Sequence, residues 1–252
     1  MEEKALTAKK SGFSMLLLCF IIFASGAALF VYAIGHLERG ENALGGFLLV
    51  VAILGYIAGI IALPGFKVLK PQEALVLTLF GHYAGTLREP GFYWVCPFCT
   101  AVNPAAGTKL SQSGDVDGGA HAASQSDGMG KKISLKMMTL NNSRQKINDC
   151  LGNPVEIGIA VIWRVTDTAK AVFNVDNYKE YLSLQCDSAL RNVVRVYPYD
   201  VAPNVDTTGD GVADEGSLRG SSEVVAARIR DEIQKNVEQA GIEVVELSLI
   251  HI

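Results

Sequence analysis

The stretch that decides the fold reads PVEIGIAVIWRVTDTAKAVF over residues 154–173 and continues as YKEYLSLQCDSALRNVV over residues 178–194. Apolar residues alternate through its first part and predict one buried face of a long strand, formed by Val155, Ile157, Ile159, Val161 and Trp163. The polar pair Thr166 and Asp167 then offers a helix cap, and the apolar period changes from two to between three and four. The stretch therefore predicts a long buried strand followed by a helix.

Two longer helices are expected downstream. Asn177 and Glu180 fit a capping box at the start of a helix from about residue 178 to 196, whose apolar face is irregular and contains Tyr181, Leu184, Ala189 and Val193 or Val194. A second helix at about residues 222–240 follows from apolar residues at every fourth position, namely Val225, Ile229, Ile233 and Val237. We expect this helix to end at Gly241, because glycine suits the left-handed position just past a helix.

The composition favours a membrane protein and argues against a nucleic-acid partner. Of the 252 residues, 49% are hydrophobic, and the mean hydropathy of the chain is positive at +0.25. The formal net charge is -4, and the basic residues are scattered, so no basic stripe is present to neutralise phosphates. The five cysteines are odd in number and sparse, which is not typical of a disulfide framework.

Two uncharged segments near the N-terminus predict transmembrane helices. Residues 13–34 give 22 residues without a charge, and residues 44–63 give a further 20. Each is long enough to cross a hydrocarbon core of about 30 Å as a helix. A cleaved signal peptide is the competing interpretation of the first segment, but its apolar length is excessive and a second span follows almost at once. We therefore expect a polar tail at residues 1–12 and two uncleaved spans.

The charges around the spans predict their orientation. The connection GHLERGENA at residues 35–43 is short enough only for a tight turn, so both ends of the hairpin are expected on one side of the membrane. The lysines flank the hairpin on that side, at Lys4, Lys9 and Lys10 before it and at Lys67 and Lys70 after it, whereas the turn carries only Arg39. The positive-inside rule then places both ends in the cytoplasm. His36 is expected to be a solvated residue of the turn.

Small residues in the spans predict close helix packing. Gly55 and Gly59 form a G-x-x-x-G spacing in the second span, and residues 24–28 of the first span read ASGAA. Two interpretations remain open: the hairpin packs on itself, or Gly55 and Gly59 form contacts between protomers.

Several segments together carry a resemblance to a known family. They are IWRVTDTAKAVF at 162–173, ALRNVV at 189–194, PQEALVLTLFG at 71–81, REPGFYWVCPF at 88–98, LRG at 218–220 and GIEVVE at 241–246. In this order they resemble the band-7 or SPFH domain of the stomatin, prohibitin and flotillin superfamily, over most of residues 66–250. The chain is similar to bacterial-type members that have an N-terminal transmembrane hairpin.

The resemblance implies both a fold and a function. The implied fold class is α+β, an SPFH domain with a mixed or antiparallel sheet and packed helices, preceded by two transmembrane helices. The implied function is an oligomeric scaffold in the cell (inner) membrane, which forms a ring or cage, organises membrane microdomains, and holds or modulates partners such as an AAA-type protease. Near the membrane, Phe92, Tyr93 and Trp94 suit either an interfacial position or the core.

Two segments depart from the family and are expected to be disordered insertions. More than half of residues 101–130 are Gly, Ala or Ser. Residues 201–217 contain Asp206, Asp210 and Asp214 at calcium-loop spacing, but Thr208 and Ser217 stand where two further acidic ligands are usual. A flexible acidic insertion is therefore favoured over a calcium site. No metal, cofactor or catalytic residue is assigned.

The alternative function is a thiol redox or protease-type enzyme that uses Cys96 and Cys99. Their C-x-x-C spacing would suit redox chemistry at a helix start or half of a zinc site, but neither a helix start nor a second ligand pair is visible. None of the motifs G-x-S-x-G, H-E-x-x-H or G-x-G-x-x-G is present. We therefore expect a protein without enzymatic activity.

The C-terminal residues LSLIHI, 247–252, match one frame of a common sequencing adapter. We expect the natural residues to end near Glu246 and the family's C-terminal coiled coil to be missing from this sequence.

Overall fold

The computed structural model describes residues 3–6, 12–39, 42–110, 116–117, 130–142, 144–200, 217–219 and 221–251. The chain divides into two compact units. The first is Ala5–Ala101, and the second comprises Met1–Lys4 and Val102–Ile252.

The first unit begins with two long apolar helices, α1 (Gly12–Glu38) and α2 (Asn42–Ala62). At about 1.5 Å per residue they are about 40 and 30 Å long, and both are long and apolar enough to cross a membrane. The two helices pack against each other along their lengths. His36, expected in the turn, instead lies in the last turn of α1, where its ring packs edge-on against Tyr32 at 4.6 Å between centroids.

Five short strands complete the first unit. After a 3-10 turn at Leu63–Gly65 they are β1 (Phe66–Leu69), β2 (Glu73–Leu79), β3 (His82–Leu87), β4 (Gly91–Trp94) and β5 (Cys99–Ala101). Strand β1 pairs antiparallel with β4, and β2 pairs antiparallel with β3 and β5. Side chains of these strands, together with Val95 just after β4, form a small core of Leu69, Leu75, Leu77, Leu87, Tyr93 and Val95.

The second unit is built around one long strand. Its strands are β6 (Lys109–Leu110), β7 (Val116–Asp117), β8 (Ile133–Ser134), β9 (Met138–Asn141), β10 (Gln145–Asn148), β11 (Pro154–Val165) and β12 (Ile242–His251). Strand β11 pairs antiparallel with β12 along one edge and with β10 and β9 along the other. The helices are α3 (Thr168–Phe173), α4 (Tyr178–Val194) and α5 (Ser222–Val237), and a 3-10 turn at Glu238–Ala240 follows α5.

The alternating pattern of β11 produces the buried face that the sequence predicts. Its five inward side chains are at most 5% exposed: Val155, Ile157, Ile159, Val161 and Trp163. Each such burial stabilises the fold by about 1.5–3 kcal/mol. The ring of Trp163 packs edge-on against Tyr178 of α4 at 6.2 Å between centroids. Helix α5 adds the fully buried row of Val225, Ile229, Ile233 and Val237, which confirms the four-residue spacing.

The predicted capping residues take their expected places. The Asp167 carboxylate accepts a hydrogen bond from Lys170 N at 2.9 Å at the start of α3. The Asn177 side chain accepts from the backbone N–H groups of Lys179 and Glu180 at the start of α4. Gly241 lies in the left-handed region at φ +64°, and its carbonyl accepts from Asp167 N. These caps fix the corners between β11 and the helices.

The apolar face of α4 is rotated relative to the sequence prediction. Leu184, expected in the core, is 59% exposed, and the Tyr181 hydroxyl donates to Asn236 O at 3.0 Å. The side chains that are buried are Tyr178, Leu182, Ser183, Cys186, Ala189, Leu190, Val193 and Val194. The irregular pattern left the register of this face ambiguous, and packing against α5 decides it.

A half-buried lysine holds the start of the first predicted insertion against α4. The Lys179 ammonium donates to Ala105 O at 3.2 Å and to Thr108 O at 2.6 Å, and burial lowers its pKa. Asn177 Nδ2 also donates to the Thr108 hydroxyl. These contacts attach residues 105–108 to the start of α4. Most of residues 111–130, and the second predicted insertion up to Gly216, lie outside the described residues.

A buried carboxylate closes the turn between β10 and β11. Asp149 is 5% exposed, and its two oxygens accept four hydrogen bonds, from Leu151 N, Asn153 N, Asn153 Nδ2 and Tyr199 N, at 2.7–3.1 Å. Burial raises the pKa of Asp149, but these hydrogen bonds outweigh burial and hold the pKa below its usual value. The carboxylate thereby ties the residues after α4 to the turn that precedes β11.

Candidate membrane-anchoring site

Small residues bring α1 and α2 together. Gly26 lies against the Tyr56 ring, where an added Cβ would stand 3.3 Å from the ring, and Gly59 lies against the Phe23 ring, where it would stand 2.8 Å away. The Phe23 and Tyr56 rings are 5.8 Å apart between centroids. A Cβ at Gly55 would meet nothing within 4 Å. Of the two interpretations for the glycines, packing within the hairpin therefore accounts for Gly59 but not for Gly55.

The outer surface of the hairpin consists of large apolar side chains. Those that are more than half exposed include Phe13, Leu17, Phe20, Val31, Tyr32, Leu44, Phe47, Val50, Leu54 and Ile60. A continuous surface of this kind would be strongly unfavourable in water, at about 25 cal/mol per Å². The same surface suits a hydrocarbon solvent, in which backbone groups are satisfied within each helix.

The hairpin continues into the sheet with almost no linker. Only Leu63–Gly65 separate α2 from β1. Val95 N donates to Gly65 O at 2.9 Å, and Trp94 Nε1 donates to Ala62 O at 3.1 Å. A Cβ at Gly65 would lie 2.5 Å from Val95 O, so this approach requires glycine. Trp94 of β4 thus satisfies the final carbonyl of α2, and the residue after β4 satisfies the last carbonyl of the 3-10 turn.

Four rings surround this junction and form what we call the aromatic collar: Phe13, Phe66, Phe92 and Trp94. The Phe92 ring stacks on Phe66 at 5.4 Å and meets Phe13 edge-on at 6.1 Å between centroids. Tyr93 points to the opposite face of β4 and is only 2% exposed. The question left open by the sequence is resolved by alternation: Tyr93 belongs to the core, and Phe92 and Trp94 belong to the collar.

The Tyr93 hydroxyl remains hydrogen-bonded in the core. It donates to Glu89 O at 3.1 Å. Burial, and secondarily the Glu89 charge, raises the pKa of Tyr93.

Cys96 and Cys99 close a tight turn directly after the collar strand. Cys99 N donates to Cys96 O at 2.9 Å, and this bond closes the turn. Cys96 is exposed and Cys99 is partly buried. Burial, with a contribution from Cys96, raises the pKa of Cys99, although Lys67 lowers it in part. The turn is not a helix start, so the activated thiolate of a thioredoxin-like site is not favoured here.

The remaining sequence candidates form no site within the part of the chain that the structure describes. Asp206, Asp210 and Asp214 of the calcium-loop segment lie outside the described residues. Within the described part of the chain, no group of three or more His, Cys, Asp or Glu side chains could hold a metal ion. Arg191 of α4 donates through Nε to the Gln145 side chain at 3.0 Å, and this contact joins the helix to β10.

Sequence reasoning missed the parts of the collar that are distant in sequence. The bond from Trp94 to Ala62 spans 32 residues, and the ring contact between Phe13 and Phe92 spans more than twice that. The only sequence signal was the aromatic run FYW at 92–94, placed shortly before a turn.

Comparison with known proteins agrees with this architecture. No curated protein matches the chain. The model of the SPFH domain / Band 7 family matches residues 67–252, which begin inside β1, just after the apolar hairpin. This match covers well over half of the chain and includes both the collar strand β4 and the long strand β11. The chain therefore belongs to the SPFH domain / Band 7 family.

Proposed function

We propose that this protein is a membrane-anchored scaffold whose copies assemble side by side into a ring or cage in the cell (inner) membrane. In this role the α1–α2 hairpin spans the bilayer, and β1 to β5 lie at the membrane surface. The assembly confines a patch of membrane and holds or modulates membrane partners, such as an AAA-type protease. Membership of the SPFH domain / Band 7 family supports this role.

The direct passage from α2 into β1 is the observation that carries the proposal. A linker of three residues, Leu63–Gly65, leaves the sheet no room to move away from a bilayer crossed by α2. The collar rings at this junction are of the type that prefers the interface between headgroups and hydrocarbon, where an indole N–H finds a polar partner. The bond from Trp94 Nε1 to Ala62 O fits that environment.

The charge distribution supports a cytoplasmic position for both ends of the hairpin. Lys67 and Lys70 follow α2, and further lysines precede α1, whereas the connecting turn carries Arg39. By the positive-inside rule the turn then faces outward. Repeated weak contacts between anchored copies would add up through avidity, so a stable assembly does not require a strong pairwise interface.

Orientation is tested by protease accessibility. Protease added outside intact cells is expected to spare the sequence from Pro71 to Glu246, and protease added to inverted membrane vesicles is expected to digest it. Digestion in intact cells would show that the orientation is opposite to the one proposed, and it would exclude cytoplasmic partners.

Assembly is tested by extracting the full chain from membranes and imaging the particles. A closed ring or cage of many copies is expected, and a uniform monomer would contradict the scaffold. The matched variants Gly55→Leu and Gly59→Leu distinguish contacts within the hairpin from contacts between copies. Because Gly59 lies against Phe23, its replacement should disturb the hairpin itself, whereas replacement of Gly55 should change particle size only if the outer face of α2 contacts a neighbouring copy.

A further inference from the structure

The Cys96–Cys99 turn has the geometry of a dithiol that can close. The bond from Cys99 N to Cys96 O defines a four-residue turn with Pro97 at its second position, where proline is favoured. Such turns hold their first and last Cα atoms less than about 7 Å apart. That spacing overlaps the range of about 4.4–6.8 Å found in disulfides. The turn therefore already brings the two cysteines close together, so little backbone movement is needed to join them.

The two cysteines differ in access. Cys96 is exposed, whereas Cys99 is partly buried and held in β5 by its pairing with Leu79 of β2. Next to this pair the Thr78 and Thr100 hydroxyls share a hydrogen bond of 2.9 Å, which keeps β5 in place. An oxidant in solution therefore reaches Cys96 first, and Cys99 is the fixed thiol beside it. Burial raises the pKa of Cys99, which suits a second thiol that reacts only after the first.

We propose that Cys96 and Cys99 form a reversible disulfide when the cell is exposed to a peroxide. The Cys96 thiolate attacks one peroxide oxygen, the O–O bond breaks, and water leaves after protonation, so that Cys96 becomes a sulfenic acid. The Cys99 sulfur then attacks the Cys96 sulfur and displaces hydroxide, which takes up the Cys99 proton. In total, two thiols and one hydrogen peroxide give one disulfide and two waters. A low-molecular-weight thiol restores both cysteines by exchange.

The disulfide would fix a turn that presents an exposed aromatic pair. Phe98 lies inside the turn and stacks on Phe80 at 6.2 Å between centroids, and the two rings are 58% and 80% exposed. Phe80 also has a positive φ of 48°, which is unfavourable for a bulky residue. Oxidation would restrict the motion of Phe98, which lies inside the turn. It would leave the hairpin and the collar unchanged. The dithiol is here a target of modification, and the inference goes beyond the proposed scaffold.

The test uses the full-length chain in native membranes. Reduced membranes are treated with hydrogen peroxide in the presence of dimedone, which traps sulfenic acids, and free thiols are then blocked with N-ethylmaleimide before peptide mass analysis. In the unmodified chain we expect the peptide containing both cysteines to lose two hydrogens and both maleimide labels, and dithiothreitol to restore them. In Cys99→Ser we expect dimedone to accumulate on Cys96, because no second thiol is available.

Cys150 provides the matched control, since it is also exposed but lies in the turn between β10 and β11. Cys150→Ser should leave the Cys96–Cys99 disulfide unchanged. The proposal is overturned if both maleimide labels persist after oxidation, or if dimedone modifies Cys96 equally with and without Cys99. In the unmodified chain, a dimer linked through Cys96 in place of the bond within one chain would also overturn it. None of these results depends on ring or cage assembly, so the test is separate from that of the scaffold.

Discussion

Strand β11 and helix α2 contain similar apolar residues but place them in opposite ways. In β11 Ile159 and Trp163 are fully buried, whereas in α2 Phe47 is 68% exposed and Leu54 is 60% exposed. Strand β11 has a buried face with period two and neighbouring strands on both edges, so it builds a core from one side. Helix α2 is apolar on all sides, whereas a helix at the surface of a water-soluble domain has a polar face.

The difference teaches that exposure of apolar side chains has to be interpreted with the solvent in mind. Leu54 of α2 and Leu184 of α4 are almost equally exposed, at 60% and 59%. Leu184 is an isolated apolar residue on a mixed helix, and such single residues are ordinary on protein surfaces. Leu54 belongs to a continuous apolar surface that surrounds a span-length helix. Substitutions in the two regions test this contrast, in order of decreasing effect.

Truncation of a buried β11 side chain should have the largest effect. Ile159→Ala removes a fully buried group and leaves a cavity, so we expect a loss of about 2–5 kcal/mol in the free energy of unfolding of the SPFH domain. Urea unfolding in detergent, followed by tryptophan fluorescence, measures it. The matched variant Ile57→Ala, on the outer face of α2, should change the value by less than about 0.5 kcal/mol. Equal losses in the two variants would contradict the contrast between the buried face of β11 and the outer face of α2.

A charge placed on the outer face of α2 should be nearly as costly. Leu54→Arg lies near the middle of the helix, and we expect about 2.5–3.5 kcal/mol of unfavourable free energy for membrane insertion. Insertion efficiency in microsomes, read by a glycosylation reporter, measures it. Leu184→Arg should change the unfolding free energy of the domain by less than about 0.5 kcal/mol. If Leu54→Arg inserts as well as the unmodified chain, α2 does not face lipid.

Removal of the buried carboxylate in the turn between β10 and β11 should have an intermediate effect. Asp149→Asn keeps only one acceptor oxygen for the surrounding donors, so we expect a loss of about 1–3 kcal/mol at neutral pH. Because folding lowers the pKa of Asp149, its contribution is complete above the unfolded value of about 3.9 and is lost as the pH falls through the folded value. Thermal unfolding between neutral and acidic pH measures this dependence.

The control for this prediction is the exposed carboxylate Asp176. Asp176→Asn should retain the acid dependence of the unmodified chain, whereas Asp149→Asn should have a weaker one. A parallel pH profile for Asp149→Asn and the unmodified chain would show that the four hydrogen bonds do not stabilise the ionised carboxylate.

The smallest effect is expected at the junction between the hairpin and the first strands. Trp94→Phe keeps an aromatic ring in the collar but removes the hydrogen bond to Ala62 O, so we expect a local loss of about 0.5–1.5 kcal/mol. Hydrogen exchange should become faster at the amides of Leu63, Gly65 and Phe66. Exchange at residues 157–161 of β11 should be unchanged, and an equal change at both places would indicate general destabilisation.

Much of the fold could be predicted because its signals are local. The alternation from Val155 to Trp163 predicted β11, and the residues Asp167, Asn177 and Gly241 marked the ends of helices through their own backbone chemistry. The collar and the dithiol turn could be predicted only in part. The Cys96–Cys99 spacing was visible, but the turn that brings the thiols together depends on β4 and β5 occupying their places in the first unit.

By itself, the sequence determined the two apolar segments, the long alternating strand and the family to which the domain belongs, because periodicity and length are properties of consecutive residues. Only the tertiary structure decided that Leu184 faces outward, that Tyr93 enters the core while Trp94 reaches Ala62, and that Lys179 holds the start of the first insertion. The physical reason is that each of these outcomes depends on a neighbour tens of residues away. An irregular apolar face or a lone polar group is compatible with several partners until packing selects one.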